Sequence, residues 1–321
     1  MTPAEVHVEV AAAAALLAGA VLETPLVPAP WLSAQTGADV RLKLENVQVT
    51  GSFKARGALH ALLRLPAGVR ARGVVTASSG NHGLGVARAA AALGCAALVL
   101  VPTTTPADKR AAIQALGAEV REHGADCVLT EAHARALAAQ DGRTYVPPYN
   151  DPDVLAGQGT VAFELLQQWP EVERVYVAAG GGGLLAGMAG YASVAAPAVE
   201  WIGCSPSASP ALDECVRQGR VVDVPCAPTW SDSTHGGVEP GAITVPLCAA
   251  LVHDWQRVAE DEIATALRDC LRQQHLLVEG AAGVALAALQ RDPAARGRRV
   301  CVVVCGGNLP WDALRRLVAA P

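Results

Sequence analysis

The sequence predicts an α/β protein of two domains, each a mainly parallel sheet flanked by helices. Three observations predict this fold class. Short runs rich in β-branched residues alternate with alanine-rich stretches of helical composition, a pattern typical of parallel sheets covered by helices. Of the 321 residues, 51% are hydrophobic, which is enough for more than one core. Glycine-containing turns follow three of the apolar runs, where parallel sheets bind their ligands.

Six apolar runs are predicted as strands because each is short, rich in Val, Ile or Leu, and bounded by turn residues. They are 40–44, 73–77, 96–101, 174–179, 199–204 and 299–305. The stretches between them have helical composition, and several open with Asn, Asp or Gly at the cap position. The predicted helices are 81–93, 107–116, 131–140, 153–168, 184–195, 260–274 and 280–290.

No repeat or low-complexity linker divides the chain. The domain boundaries are therefore placed in the loops 50–52 and 142–150, the second of which is interrupted by Pro147 and Pro148. We expect a small domain at 50–145, inserted in a larger domain built from 1–49 and 146–321.

Charge and composition exclude two classes of partner. The net charge is only -5, and no basic run is long enough to neutralise a row of phosphates, so nucleic acid is not expected. The N-terminus carries Glu5 and Glu9 and lacks a basic n-region, and the apolar stretch 11–21 is too short to span a bilayer. Nine scattered cysteines form no CxxC pair or His-Cys cluster, which indicates reduced thiols. We therefore expect a cytoplasmic protein without membrane association.

The first segment that carries chemistry surrounds Lys54, one of three lysines among 25 basic residues. It follows Gly51-Ser52-Phe53 at the start of an alanine-rich helix. A helix N-terminus lowers the pKa of an amine below its usual value of about 10.4 and so favours the neutral form that can make an imine. Seen alone, the segment is more simply explained by a solvated lysine at a helix start.

The second segment, 77–85, reads Ala-Ser-Ser-Gly-Asn-His-Gly-Leu-Gly and lies between a predicted strand and a predicted helix. Backbone N–H groups at such a turn form an anion site, which suits a substrate carboxylate. A single glycine-rich turn is weak support for a ligand site. His82 by itself is more simply a capping or packing histidine.

Two further segments follow predicted strands. Gly180–Gly183 expose successive donors ahead of a helix, and no Walker lysine or Ser/Thr follows, so the loop suits one phosphate monoester better than a nucleotide triphosphate. No acidic residue stands at the spacing that a dinucleotide ribose requires. The strand before Gly306 ends in Cys305, which alone is more simply a core cysteine before a turn.

Together and in this order, the Gly-Ser-Phe-Lys, Ser-Gly-Asn-His, tetraglycine and Cys305 segments resemble the fold-type II pyridoxal-phosphate enzymes, which share the tryptophan synthase β-like fold. Within them the chain is most similar to the serine/threonine dehydratases and serine racemases, from Glu23 to Asn308. The resemblance implies pyridoxal 5'-phosphate as the cofactor, held mainly by the larger domain, and a homodimer. It also implies an ammonia-lyase that converts a β-hydroxy amino acid of the L-serine or L-threonine type to a 2-keto acid and ammonia.

The resemblance assigns a role to each matching residue. Lys54 would carry the cofactor and act as the base at the substrate α-carbon, Phe53 would pack on the ring, and Asn81 would bind the phenolic oxygen. Cys305 would face the pyridine nitrogen, with Glu279 near the ring. The phosphate cradle would consist of Gly180, Gly181, Gly182, Gly183 and Leu184. The substrate would meet Ser78, Ser79, Gly80, Asn81, His82 and Ser233.

Three positions bear on the finer function. Ser205 and Ala211 replace carboxylates that metal-dependent members carry, so no metal site is expected. Ser79 matches the acid/base serine of serine racemases, and a racemase is therefore the nearest alternative. A non-catalytic ligand-binding protein on the same scaffold is the other alternative, although the retained lysine, asparagine and glycine cradle argue against it.

Overall fold

The computed structural model describes residues 1–125 and 127–319, and ten strands in that part of the chain form two sheets. The central strands are apolar on both faces, as parallel strands covered by helices must be. The strands are β1 (Leu26–Pro28), β2 (Asp39–Leu44), β3 (Val74–Ala77), β4 (Ala97–Val101), β5 (Glu119–Glu122), β6 (Thr144–Tyr145), β7 (Arg174–Ala178), β8 (Glu200–Pro206), β9 (Asp254–Val258) and β10 (Arg299–Val304).

The larger sheet has the order β1-β2-β10-β7-β8-β9, and the smaller has the order β5-β4-β3-β6. All neighbouring strands are parallel except β1, which runs antiparallel to β2. In the larger sheet, Val302 of β10 lies opposite Leu42 of β2 and Tyr176 of β7. The predicted fold class, with two mainly parallel sheets, is confirmed. The domain boundaries at 50 and 145 stay a prediction.

The strands that the sequence missed are the sheet edges. The six predicted strands correspond to β2, β3, β4, β7, β8 and β10, and all six lie inside a sheet. The four missed strands, β1, β5, β6 and β9, are the two outer strands of each sheet. An edge strand is half solvated and needs no continuous apolar run, as the sequence Glu-Val-Arg-Glu of β5 illustrates.

Helices cover both sheets. In chain order they are α1 (Pro3–Leu17), α2 (Pro30–Thr36), α3 (Lys54–Arg64), α4 (Ala67–Arg70), α5 (Asn81–Ala92), α6 (Ala107–Gln114), α7 (Cys127–Asp141), α8 (Pro152–Gln168), α9 (Gly183–Ala195), α10 (Ala211–Arg217), α11 (Thr244–Leu251), α12 (Glu260–Asp269), α13 (Gly280–Gln290) and α14 (Trp311–Ala319). No helix among the described residues is both long enough and apolar enough to cross a membrane.

One predicted helix differs in its last turn, and one helix was not predicted. The predicted helix 260–274 is α12 followed by one π turn, Cys270–Gln274, which ends where His275 adopts a left-handed φ of 57°. Helix α1 was missed although its start is well marked: Thr2 and Glu5 form a capping box, and Pro3 occupies the first turn. Its alanine-rich sequence lacks a clear apolar stripe, which explains the omission.

Glycines bring α3 close to its neighbours and so fix the segment that begins with Lys54. A methyl group on Gly157 of α8 would lie 2.6 Å from the Cα of Gly57 in α3. A methyl group on Gly85 of α5 would lie 3.0 Å from the carbonyl oxygen of Lys54. Because the first distance is too short for a Cβ atom and the second leaves room for one only if a neighbour shifts, α3 packs closely between α5 and α8.

Candidate active site

Lys54 is the first residue of α3, and its amine is surrounded by protein although the residue as a whole is only partly buried. The Nζ atom donates a hydrogen bond of 2.6 Å to the carbonyl oxygen of Pro148, and it lies 5.2 Å from the centre of the Phe53 ring. Burial lowers the pKa of Lys54 to about 8, while the charges of Glu279 and Cys305 act in the opposite direction. The pKa is lowered, as the sequence predicts, but the main cause is burial and not the helix N-terminus.

The second segment connects β3 to α5. Gly80 precedes the helix, and the Oγ atom of Ser78 accepts a hydrogen bond of 3.2 Å from its N–H. Ser78, Ser79 and Gly80 are partly exposed, whereas Asn81 and His82 are buried. The structure therefore presents an open helix N-terminus beside a buried asparagine.

His82 is buried and has a backbone partner. Its Nε2 atom lies within hydrogen-bond distance, 3.0 Å, of the carbonyl oxygen of Val146. Burial, with a smaller contribution from the charge of Lys54, lowers the pKa of His82 to about 3, so the ring is neutral. A substrate role for His82 stays a prediction.

The glycine loop follows β7 and leads into α9. Gly182 has a φ of 88°, in the left-handed region that favours glycine, and Gly183 opens the helix. Within the described residues, the N–H groups of Gly180, Gly181 and Gly182 have no protein acceptor. A methyl group on Gly181 would overlap the Tyr149 ring. The loop thus offers free donors at a helix N-terminus, in a space that admits only glycine.

The Cys305 segment joins the Lys54 segment directly. The N–H of Phe53 donates to the carbonyl oxygen of Cys305 at 3.1 Å, and Ser52 forms a β-bridge with Gly306. Cys305 itself is buried at the carboxyl end of β10. Burial, followed by the nearby charge of Glu279, raises the pKa of its thiol well above the usual value, so the thiol keeps its proton.

Glu279 connects three of the predicted site residues. Both of its carboxylate oxygens accept from the Nδ2 atom of Asn81, at 3.0 and 2.9 Å, and Oε1 accepts from the Ser233 hydroxyl at 3.2 Å. The Sγ atom of Cys305 lies 4.0 Å from the same oxygen. Burial raises the pKa of Glu279, although the bonds from Asn81 and Ser233 oppose this.

Sequence reasoning missed three side chains beside these loops. Asn308 donates to the Oδ1 atom of Asn81 at 2.7 Å. The Tyr149 hydroxyl accepts from the N–H of Glu239 at 2.8 Å, and the Oδ1 atom of Asn150 accepts from the N–H of Ile243 at 2.9 Å. In the sequence, the run Pro147-Pro148-Tyr149-Asn150 indicates a domain boundary, and the polar residues after its two prolines are the signal for Tyr149 and Asn150.

The expected absence of a metal site stays a prediction. Ser205 is buried at the end of β8, and its Oγ atom has no partner within the described ranges. Among residues 1–125 and 127–319, no three His, Cys, Asp or Glu side chains lie together as metal ligands would.

These residues fit pyridoxal phosphate. Free amides in the glycine loop suit a phosphate, and the buried amine of Lys54 suits an imine. The Asn81 amide is held in one orientation by Glu279 and Asn308. A protonated thiol at Cys305 suits an uncharged pyridine nitrogen. Fold and loops together define a pyridoxal-phosphate enzyme of fold type II.

Comparison with known proteins gives the same class. The family described as pyridoxal-phosphate dependent enzyme matches residues 17–306. L-threonine ammonia-lyase of Geobacter sulfurreducens is 41% identical over 94% of this chain and 76% of its own. L-threo-3-hydroxyaspartate ammonia-lyase of a Pseudomonas species is 37% identical over 97% of both chains. The structure of maize serine racemase has a TM-score of 0.91 and 28% identity, covering 98% of this chain and 96% of its own. The chain belongs to the pyridoxal-phosphate-dependent enzymes, in the serine/threonine dehydratase group, and pyridoxal phosphate is its cofactor.

Gly182→Ala should weaken cofactor binding by about tenfold or more, because left-handed strain costs an alanine ~1–2 kcal/mol. Its methyl group would also lie 2.8 Å from the Cδ2 atom of Leu212, so the loop and its amides must move. Gly219→Ala is the matched control, since Gly219 has a φ of 65° but no neighbour within 4 Å. Fluorescence titration of the apoenzyme with pyridoxal phosphate measures both variants. Equal affinities would contradict a cradle at Gly182.

Proposed function

We propose that this enzyme converts a β-hydroxy amino acid to a 2-keto acid and ammonia by α,β-elimination. The observation that carries the proposal is the burial of the Cys305 thiol at the carboxyl end of β10, which raises its pKa and favours the neutral form. A neutral thiol is a poor proton donor, so it leaves the cofactor a modest electron sink. Charge at the substrate α-carbon is then short-lived, which favours loss of the β-hydroxyl over transamination.

When bound, pyridoxal phosphate draws electrons away from the α-carbon of the attached amino acid. Lys54 is the residue that we propose takes the α-proton, because its buried amine is largely neutral above a pH of about 8. The carbonyl oxygen of Pro148, 2.6 Å away, holds this amine in a defined direction. The proton gained by Lys54 is then available for the departing hydroxyl.

The remaining residues bind and orient. The amides of Gly180, Gly181 and Gly182 hold the phosphate, and Leu184 and Gly183 continue the cradle into α9. Ser78, Ser79 and Gly80, at the N-terminus of α5, receive the substrate carboxylate. Bonds from Asn81 and Ser233 keep Glu279 fixed beside Cys305.

We propose L-threonine and L-serine as the substrate class, supported by the threonine ammonia-lyases among the relatives. The relative that acts on L-threo-3-hydroxyaspartate makes that amino acid the closest competitor. The test measures release of 2-keto acid and ammonia from L- and D-serine, L-threonine, 3-hydroxyaspartate and phenylserine. No keto acid from any of them would refute elimination.

Racemisation is the second candidate, favoured by Ser79, which lies partly exposed at the N-terminus of α5, and by the structural likeness to maize serine racemase. Elimination from an L-substrate needs a base at the α-carbon and an acid for the hydroxyl, whereas racemisation needs a second proton donor across the ring. Ser79→Ala should therefore erase L-to-D conversion while keto-acid release stays within about tenfold, a barrier change of ~1.4 kcal/mol. Chiral chromatography measures the first and a keto-acid assay the second. Loss of both activities by several orders of magnitude would show that Ser79 is needed for elimination as well as for racemisation.

We also propose a cytoplasmic homodimer. Eight cysteines in the described part of the chain are free thiols, which suits a reducing compartment. Val8 and Leu16 on α1 and Trp311 and Val318 on α14 are exposed apolar side chains that a second subunit could cover. Light scattering of the purified holoenzyme tests the dimer, and a monomeric mass would refute it.

A further inference from the structure

Two ion pairs cross from the helices of the smaller sheet to segment 229–241, which carries Ser233. The Nζ atom of Lys109 in α6 lies 3.3 Å from the Oδ2 atom of Asp232. Arg135 in α7 pairs with Glu239, and it is itself held by Glu131 at 2.8 Å. We name these two contacts, Lys109–Asp232 and Arg135–Glu239, the cleft-spanning pairs.

Each cleft-spanning pair is joined to a side chain of the site. Asp232 precedes Ser233, whose hydroxyl donates to Glu279. Glu239 donates its N–H to the hydroxyl of Tyr149, whose ring packs on Gly181 of the glycine loop. The Lys109–Asp232 pair is thus linked through Ser233 to the carboxylate of Glu279. The Arg135–Glu239 pair is linked through Tyr149 to the glycine loop.

Segment 229–241 is also fixed to elements of the larger sheet. The N–H of Trp230 donates to Glu260 at 2.7 Å, and the N–H of Gly236 donates to the Ser209 hydroxyl at 3.1 Å. Ser231, between these two anchors, is buried. Asp232 is half exposed and bends outward in a short 3-10 turn towards Lys109. The segment is therefore bonded both to the helices of the smaller sheet and to elements of the larger one.

Lys109 is also uncommon in its residue type. The chain uses arginine for most of its cations and has lysine at three positions. Lys43 lies in a buried charge cluster, and Lys54 is the amine of the site. Lys109 takes no part in either, and its partner stands directly before Ser233.

We propose that Lys109 and Arg135 are positioning residues: through the cleft-spanning pairs they hold segment 229–241 closed, with Ser233 on Glu279 and Tyr149 on the glycine loop. Substrate binding to the closed site then depends on charges that do not touch the substrate. This inference deepens the proposed function, but its first test does not require turnover.

The test compares Lys109→Gln with Arg110→Gln in the holoenzyme. Arg110 is the next residue, similarly exposed, and its pair with Glu122 at 2.9 Å stays within the smaller sheet. Amide hydrogen exchange in residues 229–237 should become about fivefold faster in Lys109→Gln and should not change in Arg110→Gln, since exposed pairs contribute up to ~1 kcal/mol. Equal exchange in the two variants would overturn the proposal even if the substrate assignment fails.

Kinetics and charge reversal complete the test. In Lys109→Gln the KM for the substrate should rise about fivefold with kcat nearly unchanged, because binding to the closed site is affected rather than the chemistry. The double variant Lys109→Asp with Asp232→Lys should restore KM and slow exchange. Raising NaCl from about 0.05 M to about 0.5 M should raise KM more in the unmodified enzyme than in Lys109→Gln, which keeps only the Arg135–Glu239 pair for salt to screen. A charge reversal that restores neither quantity would show that the pair has no positioning role.

Discussion

Lys54→Ala is expected to lower keto-acid release by about a thousandfold or more, because it removes the amine that we propose both links the cofactor and acts as the base at the α-carbon. Borohydride should no longer attach the cofactor to the protein. Lys54→Arg is the matched control: it keeps the positive charge but cannot form an imine, so it should be equally inactive. Mass spectrometry of the peptide that contains residue 54 measures the attachment. Turnover near the unmodified rate in either variant would remove Lys54 from the mechanism.

The pKa of Lys54 adds a pH dependence to this result. Burial lowers it to about 8, so the amine gains a proton as the pH falls through that value. Covalent capture of added cofactor by the apoenzyme should accordingly slow below a pH of about 8 and level off above it. A rate that is flat between about pH 6.5 and 9 would contradict a buried amine with this pKa.

Arg56→Ala is expected to lower the free energy of unfolding by about 3–5 kcal/mol, the effect of leaving buried partners without their counter-charge. Arg56 lies in α3, two residues after Lys54, and it contacts two carboxylates, Glu45 at 2.7 Å and Glu164 at 2.5 Å. Lys43 completes the cluster at 2.6 Å from Glu164. Arg56 and Glu45 are fully buried, so neither charge can be solvated once its partner is gone.

Arg64→Ala on the same helix is the control. Its pair with Asp153, at 3.2 Å, is exposed, and the expected loss is within about 1 kcal/mol. Urea denaturation of the holoenzyme measures both variants. Should Arg56→Ala fail to fold, Glu45→Gln, which keeps the shape of the side chain, takes its place. If both variants lost the same free energy of unfolding, the buried cluster would contribute no more to stability than an exposed ion pair.

The sequence predicts the inner strands of each sheet better than the edge strands and the first helix. Strands such as β4 and β10 are apolar on both faces, so composition alone identifies them. Edge strands such as β5 and β9 are partly solvated, and their sequences resemble those of loops. The helix α1 is identifiable from its capping box but not from its nearly uniform apolar sequence.

Some residues of the candidate site are likewise predictable from the sequence, and others are not. Lys54, the serine and glycine turns and Cys305 stand in short motifs at strand or helix ends, so local sequence indicates them. Asn308, Tyr149 and Lys109 act through partners 90 to 227 residues away in the chain, and no local pattern encodes such contacts. The cause of the lowered pKa of Lys54 was likewise invisible, because burial is a property of the folded chain.

The position of β10 has a consequence for synthesis of the chain. This strand lies between β2 and β7, although it is made more than 250 residues after β2. Domains form during translation as their residues emerge, at about 5–20 residues per second. The smaller sheet, complete by residue 145, can form early, whereas β2 and β7 keep unpaired edges until residue 304 has left the ribosome. Nascent chains stalled before that point therefore lack Cys305, cannot assemble the site, and expose two apolar strand edges that chaperones must shield.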